Sequence, residues 1–133
     1  MHGYKELSHT ADWAVCVWAD DLEGLYSTAA DAMTALMGIQ AGGSSLVSRS
    51  FHLQAEDAES LLVAYLSELL YIMELEQLTP ARQELKVEAR NLEGLVWLQP
   101  ILSLNKEIKA VTFSGMQIKS SPQGFQVEIV FDV

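Results

Sequence analysis

Two rhythms of apolar and polar residues alternate along this chain, and each marks an element. Residues 13–19 form an apolar run between the turn formers of 8–12 and Asp20-Asp21, which predicts a strand buried on both faces. Leu22, Leu25, Tyr26, Ala29, Ala32, Met33, Leu36 and Met37 then recur at three- and four-residue spacing, the pattern of one helical face. Asp20 or Asp21 can cap that helix and Gly38 can end it. Residues 41–45, Ala-Gly-Gly-Ser-Ser, read as a short loop. In 46–55, Val47, Phe51 and Leu53 share one parity and Ser48, Ser50, His52 and Gln54 the other, which predicts a half-buried strand with His52 toward solvent. Arg49 interrupts its apolar side.

Asp57 opens a second helix, whose apolar set of Leu61, Leu62, Tyr65, Leu66, Leu69, Leu70, Ile72, Met73 and Leu75 is wide enough for contact on more than one side. Thr79-Pro80 is expected to stop it, because proline biases the residue before it away from helical angles. Leu85, Val87 and Ala89 alternate with Lys86, Glu88 and Arg90, a strand that should lead into a turn at Asn91-Leu92-Glu93-Gly94. Residues 95–98 are either a strand or a connection, and 99–107, broken by Pro100, show no period. The chain closes on an expected hairpin: one arm over 108–119, a turn through Ser120 to Gly124, and a second arm over 125–133. In that second arm Phe125, Val127, Ile129 and Phe131 form the core face and Asp132 lies on the other.

Composition narrows the class. A length of 133 residues, half of them apolar, is expected to form one domain over 1–133 with a real core. No window reaches the run of about 18 apolar residues that a membrane span needs, and the start lacks the order of a signal peptide, so a soluble, cytoplasmic protein without membrane contact is expected. The single Cys16 allows no intramolecular disulfide and reads as a small core residue. With 8 basic and 18 acidic residues the formal charge is −10, which repels phosphate backbones. Direct nucleic-acid binding is not expected; cations and basic protein surfaces are the natural partners.

The candidate chemistry gathers at two chain-distant points. Asp12, at the mouth of the first strand, either caps the preceding turn, pairs with a base, or holds a metal. A hairpin folded about Ser121 to Gln123 should bring Lys109 within a residue or two of Asp132, provided no bulge at Gly115 shifts the register. The chain stops at Val133, whose α-carboxylate would follow Asp132 by one residue. If the first strand runs antiparallel beside the last, Asp12 joins this group, and oxygens from Asp12, Asp132 and Val133 would suit calcium, magnesium or manganese. The alternative is a salt bridge from Lys109 to the terminal carboxylates with no cation. His9, the histidine nearest this group, reads as a hydrogen bonder that fixes the turn rather than a general base.

Tyr4-Lys5-Glu6-Leu7-Ser8-His9-Thr10-Ala11-Asp12, Asp21-Leu22-Glu23-Gly24-Leu25, the stretch 61–71, Glu107-Ile108-Lys109-Ala110-Val111-Thr112-Phe113 and Phe131-Asp132-Val133 occur in an order that resembles the archease family along nearly the whole chain. The resemblance implies an α+β two-layer sandwich, two main helices packed on a mixed, largely antiparallel β-sheet that ends in a C-terminal β-hairpin. It implies a non-enzymatic activator of RtcB-type RNA ligases in tRNA splicing and RNA repair, which promotes guanylylation and multiple turnover of the ligase. The family's divalent-cation site carries over onto Asp12, Asp132 and Val133, and its functional lysine onto Lys109. The chain departs from the family at Ser114, where His is common, and loses any imidazole contribution there. Two other readings of the same residues are a metal-dependent phosphoester hydrolase and a generic protein-binding module that uses the wide second helix. The hydrolase lacks support from any Gly-rich phosphate loop, Ser-His-Asp arrangement or His-rich metal motif.

Overall fold

The computed structural model describes residues 1–7, 13–43, 46–113 and 115–133. Its elements in chain order are β1 (Gly3–Leu7), β2 (Trp13–Ala19), α1 (Leu22–Leu36), β3 (Gln40–Ala41), β4 (Val47–Gln54), α2 (Ala58–Glu76), β5 (Leu78–Glu88), β6 (Asn91–Ser103), β7 (Ala110–Thr112), β8 (Lys119–Ser121) and β9 (Gly124–Asp132). The fold is α+β, with both helices against antiparallel sheets and a hairpin at the C-terminal end.

Each helix starts on an aspartate with extended backbone. Asp21 Oδ1 accepts the Gly24 N–H at 2.7 Å, and Asp57 Oδ1 accepts the Ser60 N–H at 2.7 Å, so each cap satisfies a donor that the first turn leaves open. The expected face of α1 is buried at Leu25, Tyr26, Ala29, Ala32 and Met33, and Gly38 follows its end with φ +64°. α2 ends differently from expectation. Gln77 takes left-handed angles (φ 58°) while its N–H still donates to Met73 O, so the helix stops at Glu76, four residues before Pro80. Pro80 lies inside β5, where the ladder skips from Pro80 to Arg82; the bulge absorbs a residue that cannot donate to the ladder.

The strands divide between two sheets. One runs in the order β1-β2-β9-β7, with β8 also on β9; the other runs β3-β6-β4, with β5 on β6. Every pairing among the described residues is antiparallel, so the expected mixed character is absent there. α2 lies against β7 of the first sheet and against β4, β5 and β6 of the second, which explains its wide apolar surface. Phe51 meets Tyr65 edge-on, with ring centroids 5.7 Å apart. Arg49, the interruption in β4, reaches α2 and binds Glu76 with two hydrogen bonds of 2.5 and 2.8 Å.

Four further expectations change. β2 is buried at Val15, Val17 and Ala19 on the helix side, while the opposite face is buried at Ala14, half-buried at Cys16 and open at Trp18, so the strand is covered on both sides only at its start. Cys16 shares that second face; it is half-buried and accepts from Gln126 Nε2 at 3.3 Å rather than filling the core. Residues 91–94 belong to β6, and the reversal before it falls at Ala89-Arg90, with Ala89 at φ 52°. Leu75 is 60% exposed despite its place in the α2 apolar set.

Candidate site at the strand end

The first sheet brings the chain-distant residues together. β2 and β9 run antiparallel with Trp13 opposite Phe131, so the residue that follows Asp12 in sequence pairs next to Asp132. On the other side of β9, Ala110 lies opposite Asp132, and the Lys109 N–H donates to the Asp132 carbonyl at 2.8 Å. The side chains of Lys109 and Asp132 are exposed, while Val133 is half-buried and packs on the core. Asp12, His9 and Ser114 lie outside the described residues.

Lys109 reaches this position through an interruption of the hairpin arm. β8 pairs Lys119 with Gln126 and Ser121 with Gly124; continued along β9, that register would set Phe113 opposite Asp132. The observed partner is Ala110, three residues earlier. The offset falls between β7 and β8, where the Met116 N–H donates to Phe113 O at 3.0 Å and Gly115 has φ +66°. The Ile118 N–H then donates to Glu59 Oε2 of α2 at 2.9 Å, which fixes the segment against the helix. The expected single arm over 108–119 is therefore two short strands, and the shift at Gly115 is what aligns Lys109 with Asp132.

A second lysine belongs to the same end of the sheet. Lys106 Nζ stands 5.3 Å from the centroid of the Trp13 ring, and the N–H groups of Asn105 and Lys106 both donate to Met37 O, at 2.9 and 3.2 Å. The segment leading to Lys109 is thus tied to the end of α1 and to the entry of β2. Residues 99–107 carry no period, so the only sequence signal for Lys106 was its spacing of three from Lys109. Between α2, the end of α1 and this segment lies a groove of about 240 Å³, walled by Met37, Leu70, Met73, Leu104 and Ile108, with Lys109 on its edge.

Ionisable groups with displaced pKa values serve the scaffold. The Ser60 N–H holds the Asp57 carboxyl below its ordinary value, and the Arg49 guanidinium does the same for Glu76. Burial pushes the Tyr26 and Tyr65 phenols up; Tyr26 donates to Ala58 O at 2.6 Å and Tyr65 to Gln83. Burial also raises Asp31, against the lowering effects of His2 and of the hydrogen bond from Gln83. His52 is exposed opposite Glu93, as expected for a solvent-face residue. Among the described residues no three His, Cys, Asp or Glu side chains converge as a metal set, so Asp132 offers one hard oxygen donor of the kind a divalent cation takes and the described side chains do not complete a site.

Two helices on antiparallel sheets, with the backbone of Lys109 hydrogen-bonded to that of Asp132 beside the entry of a neighbouring strand, define a small α+β protein. The sequence model of the Archease protein family matches residues 4–133, and the chain belongs to that family. Protein archease of Methanosarcina mazei is 30% identical over 140 residues, covering 98% of this chain and 95% of that relative. Protein archease of Pyrococcus furiosus is 27% identical over 142 residues, covering all of both chains. The solution structure of Methanobacterium thermoautotrophicum protein 1598 shares the fold with a TM-score of 0.73 at 24% identity, over 98% of this chain and 99% of that one. The crystal structure of an archease from Thermotoga maritima, described as a possible chaperone, gives 0.72 at 21%, over 97% and 96%.

Proposed function

We propose that this protein is an activator of an RtcB-type RNA ligase in tRNA splicing and RNA repair, acting in the cytoplasm as a protein cofactor that promotes guanylylation and multiple turnover of the ligase. The observation that carries the reading is the alignment of Lys109 with Asp132 at the sheet end where β2 begins, in a member of the Archease family. Lys109 is exposed, so it can present a mobile ammonium to a phosphate or carboxylate of the partner. Asp12, Asp132 and, where the chain ends there, the α-carboxylate of Val133 would hold a divalent cation. Such a cation supplies Lewis-acid polarisation of a phosphoryl oxygen. Lys106, whose ammonium lies over the Trp13 ring, steadies the segment that carries Lys109. A net charge of −10 suits a helper that meets the ligase protein and leaves the RNA to it.

Thermal melts test the cation. Calcium or manganese at millimolar concentration should raise Tm relative to chelator, because a ligand bound only to the folded state stabilises it by mass action. Asp132→Asn and Asp12→Asn should each abolish the rise, and His52→Ala should keep it. No rise with either metal would remove the cation from the proposal.

The description of the Thermotoga maritima archease as a possible chaperone offers a second reading. A holdase needs broad apolar surface, whereas the large exposed apolar side chains here include residues as far apart in the fold as Trp18 on β2, Tyr71 and Leu75 on α2, and Leu102 on β6. Suppression of aggregation of an unrelated unfolding protein, at equimolar concentration and without ligase, would favour that reading.

A further inference from the structure

We infer that the groove beside Lys109 seats a large apolar side chain of the ligase partner, flanked in that partner by lysine or arginine. The inference rests on the activator reading and names where the partner is gripped.

The groove's volume of about 240 Å³ falls below the roughly 300–1,000 Å³ of small-molecule pockets, and it matches one bulky side chain. Its apolar lining comes from Leu70 and Met73 of α2 and from Ile101, Leu104 and Ile108, and Gln77, Glu74, Glu107 and Lys109 add polar groups to it. Tyr71 and Leu75, four residues apart on α2 and 59% and 60% exposed, extend the apolar surface along the helix.

Charge decides the rest of the occupant's chemistry. Glu74 and Glu107 edge the groove, and neither has an ion-pair partner among the described residues. The groove also borders the C-terminal end of α2, where the helix dipole presents partial negative charge and the last turn contains no basic residue. Arg49 neutralises Glu76 but leaves Glu74 uncompensated. An apolar side chain with adjacent lysine or arginine satisfies both features at once: it removes apolar surface from water and adds positive charge to a rim where Glu74 and Glu107 outnumber Lys109. Lys109, on the same edge, is thereby carried to the partner with fixed position, so gripping and activation occur on contiguous surface.

Two variants separate gripping from activation. Glu74→Lys combined with Glu107→Lys reverses the rim on exposed positions; Leu104→Trp fills the groove and keeps the charges. Each should weaken binding to the ligase in calorimetry by about tenfold or more, and the charge reversal should also flatten the salt dependence of the association rate. Turnover at saturating concentration should stay near wild type, because Lys109 is intact, and melts should confirm that both variants fold. In wild-type protein the methyl signals of Met73, Leu104 and Ile108 should shift when ligase is added. Binding that survives in both variants, or groove methyls that do not move, overturns the inference and leaves the activator reading standing. Wild-type protein that binds no ligase overturns both. A wild-type dimer in sedimentation that Leu104→Trp dissociates assigns the groove to a second copy of the chain and also overturns it.

Discussion

Single residues with left-handed backbone set the geometry on which the site depends. Gly115 has φ +66° with open space around an added Cβ, so Gly115→Ala should cost about 1 kcal/mol from backbone conformation alone. Gly38 has a similar φ of +64°, but a Cβ there would stand 2.5 Å from Asn105 Nδ2, and Asn105 is tied by its N–H to Met37 O. Gly38→Ala should therefore destabilise more than Gly115→Ala in urea unfolding, and equal losses would show that Asn105 moves aside freely. The same comparison bears on the site, since Asn105 precedes the Lys106 that stacks on Trp13. Gln77 and Ala89 show why such positions escape pattern reading: each adopts positive φ without being glycine, so neither the early stop of α2 nor the turn before β6 left a composition signal.

At the scale of elements, α2 is bracketed by two depressed carboxyls, Asp57 at its start and Glu76 at its end. For an acid whose folded pKa lies below its unfolded value, the stabilisation is complete above the unfolded value and is lost as pH falls through the folded one. Unfolding free energy should thus decline as pH drops below the ordinary carboxylate range of about 4. Asp57→Asn retains a capping oxygen but cannot titrate, so its stability should fall less steeply with acid than that of wild type. Identical slopes in urea titrations would remove Asp57 from the acid-sensitive set.

The elements also show what was legible and what was not. α1, α2, β4 and β9 were readable because each carries a local period, and the buried residues Phe51, Ile129 and Phe131 fall where alternation placed them. β1 and β3 were missed: Gly3–Leu7 has no apolar alternation, and two residues, Gln40–Ala41, cannot show one. Pro80 read as a helix stop and Pro100 as a break, yet both lie in strands, the first at a bulge in β5 and the second toward the far end of β6. Chain order placed Lys109 near Asp132 only on the condition that nothing shifted the register at Gly115; the structure has a three-residue offset between β7 and β8, which sequence pattern does not show and without which Phe113 would stand opposite Asp132.

For the whole molecule, one core of residues from Val15 to Phe131 joins both helices to both sheets and holds the sheet end that carries Lys109 and Asp132. Under the proposed activator reading, Lys109 is the residue at which structure and activity should separate. As an exposed side chain outside the core, it should be dispensable for folding: any surface ion pair it forms would contribute only about 0–1 kcal/mol. The most direct measurement is ligation by a sub-stoichiometric RtcB-type ligase, with manganese and GTP, in the presence of wild-type protein or Lys109→Ala of equal Tm. The account predicts many turnovers per ligase with wild type, turnover near that of ligase alone with Lys109→Ala, and no ligation by this protein by itself. Equal activation by both proteins would remove Lys109 from the mechanism, and wild-type protein that raises neither turnover nor guanylylation would contradict the activator account itself.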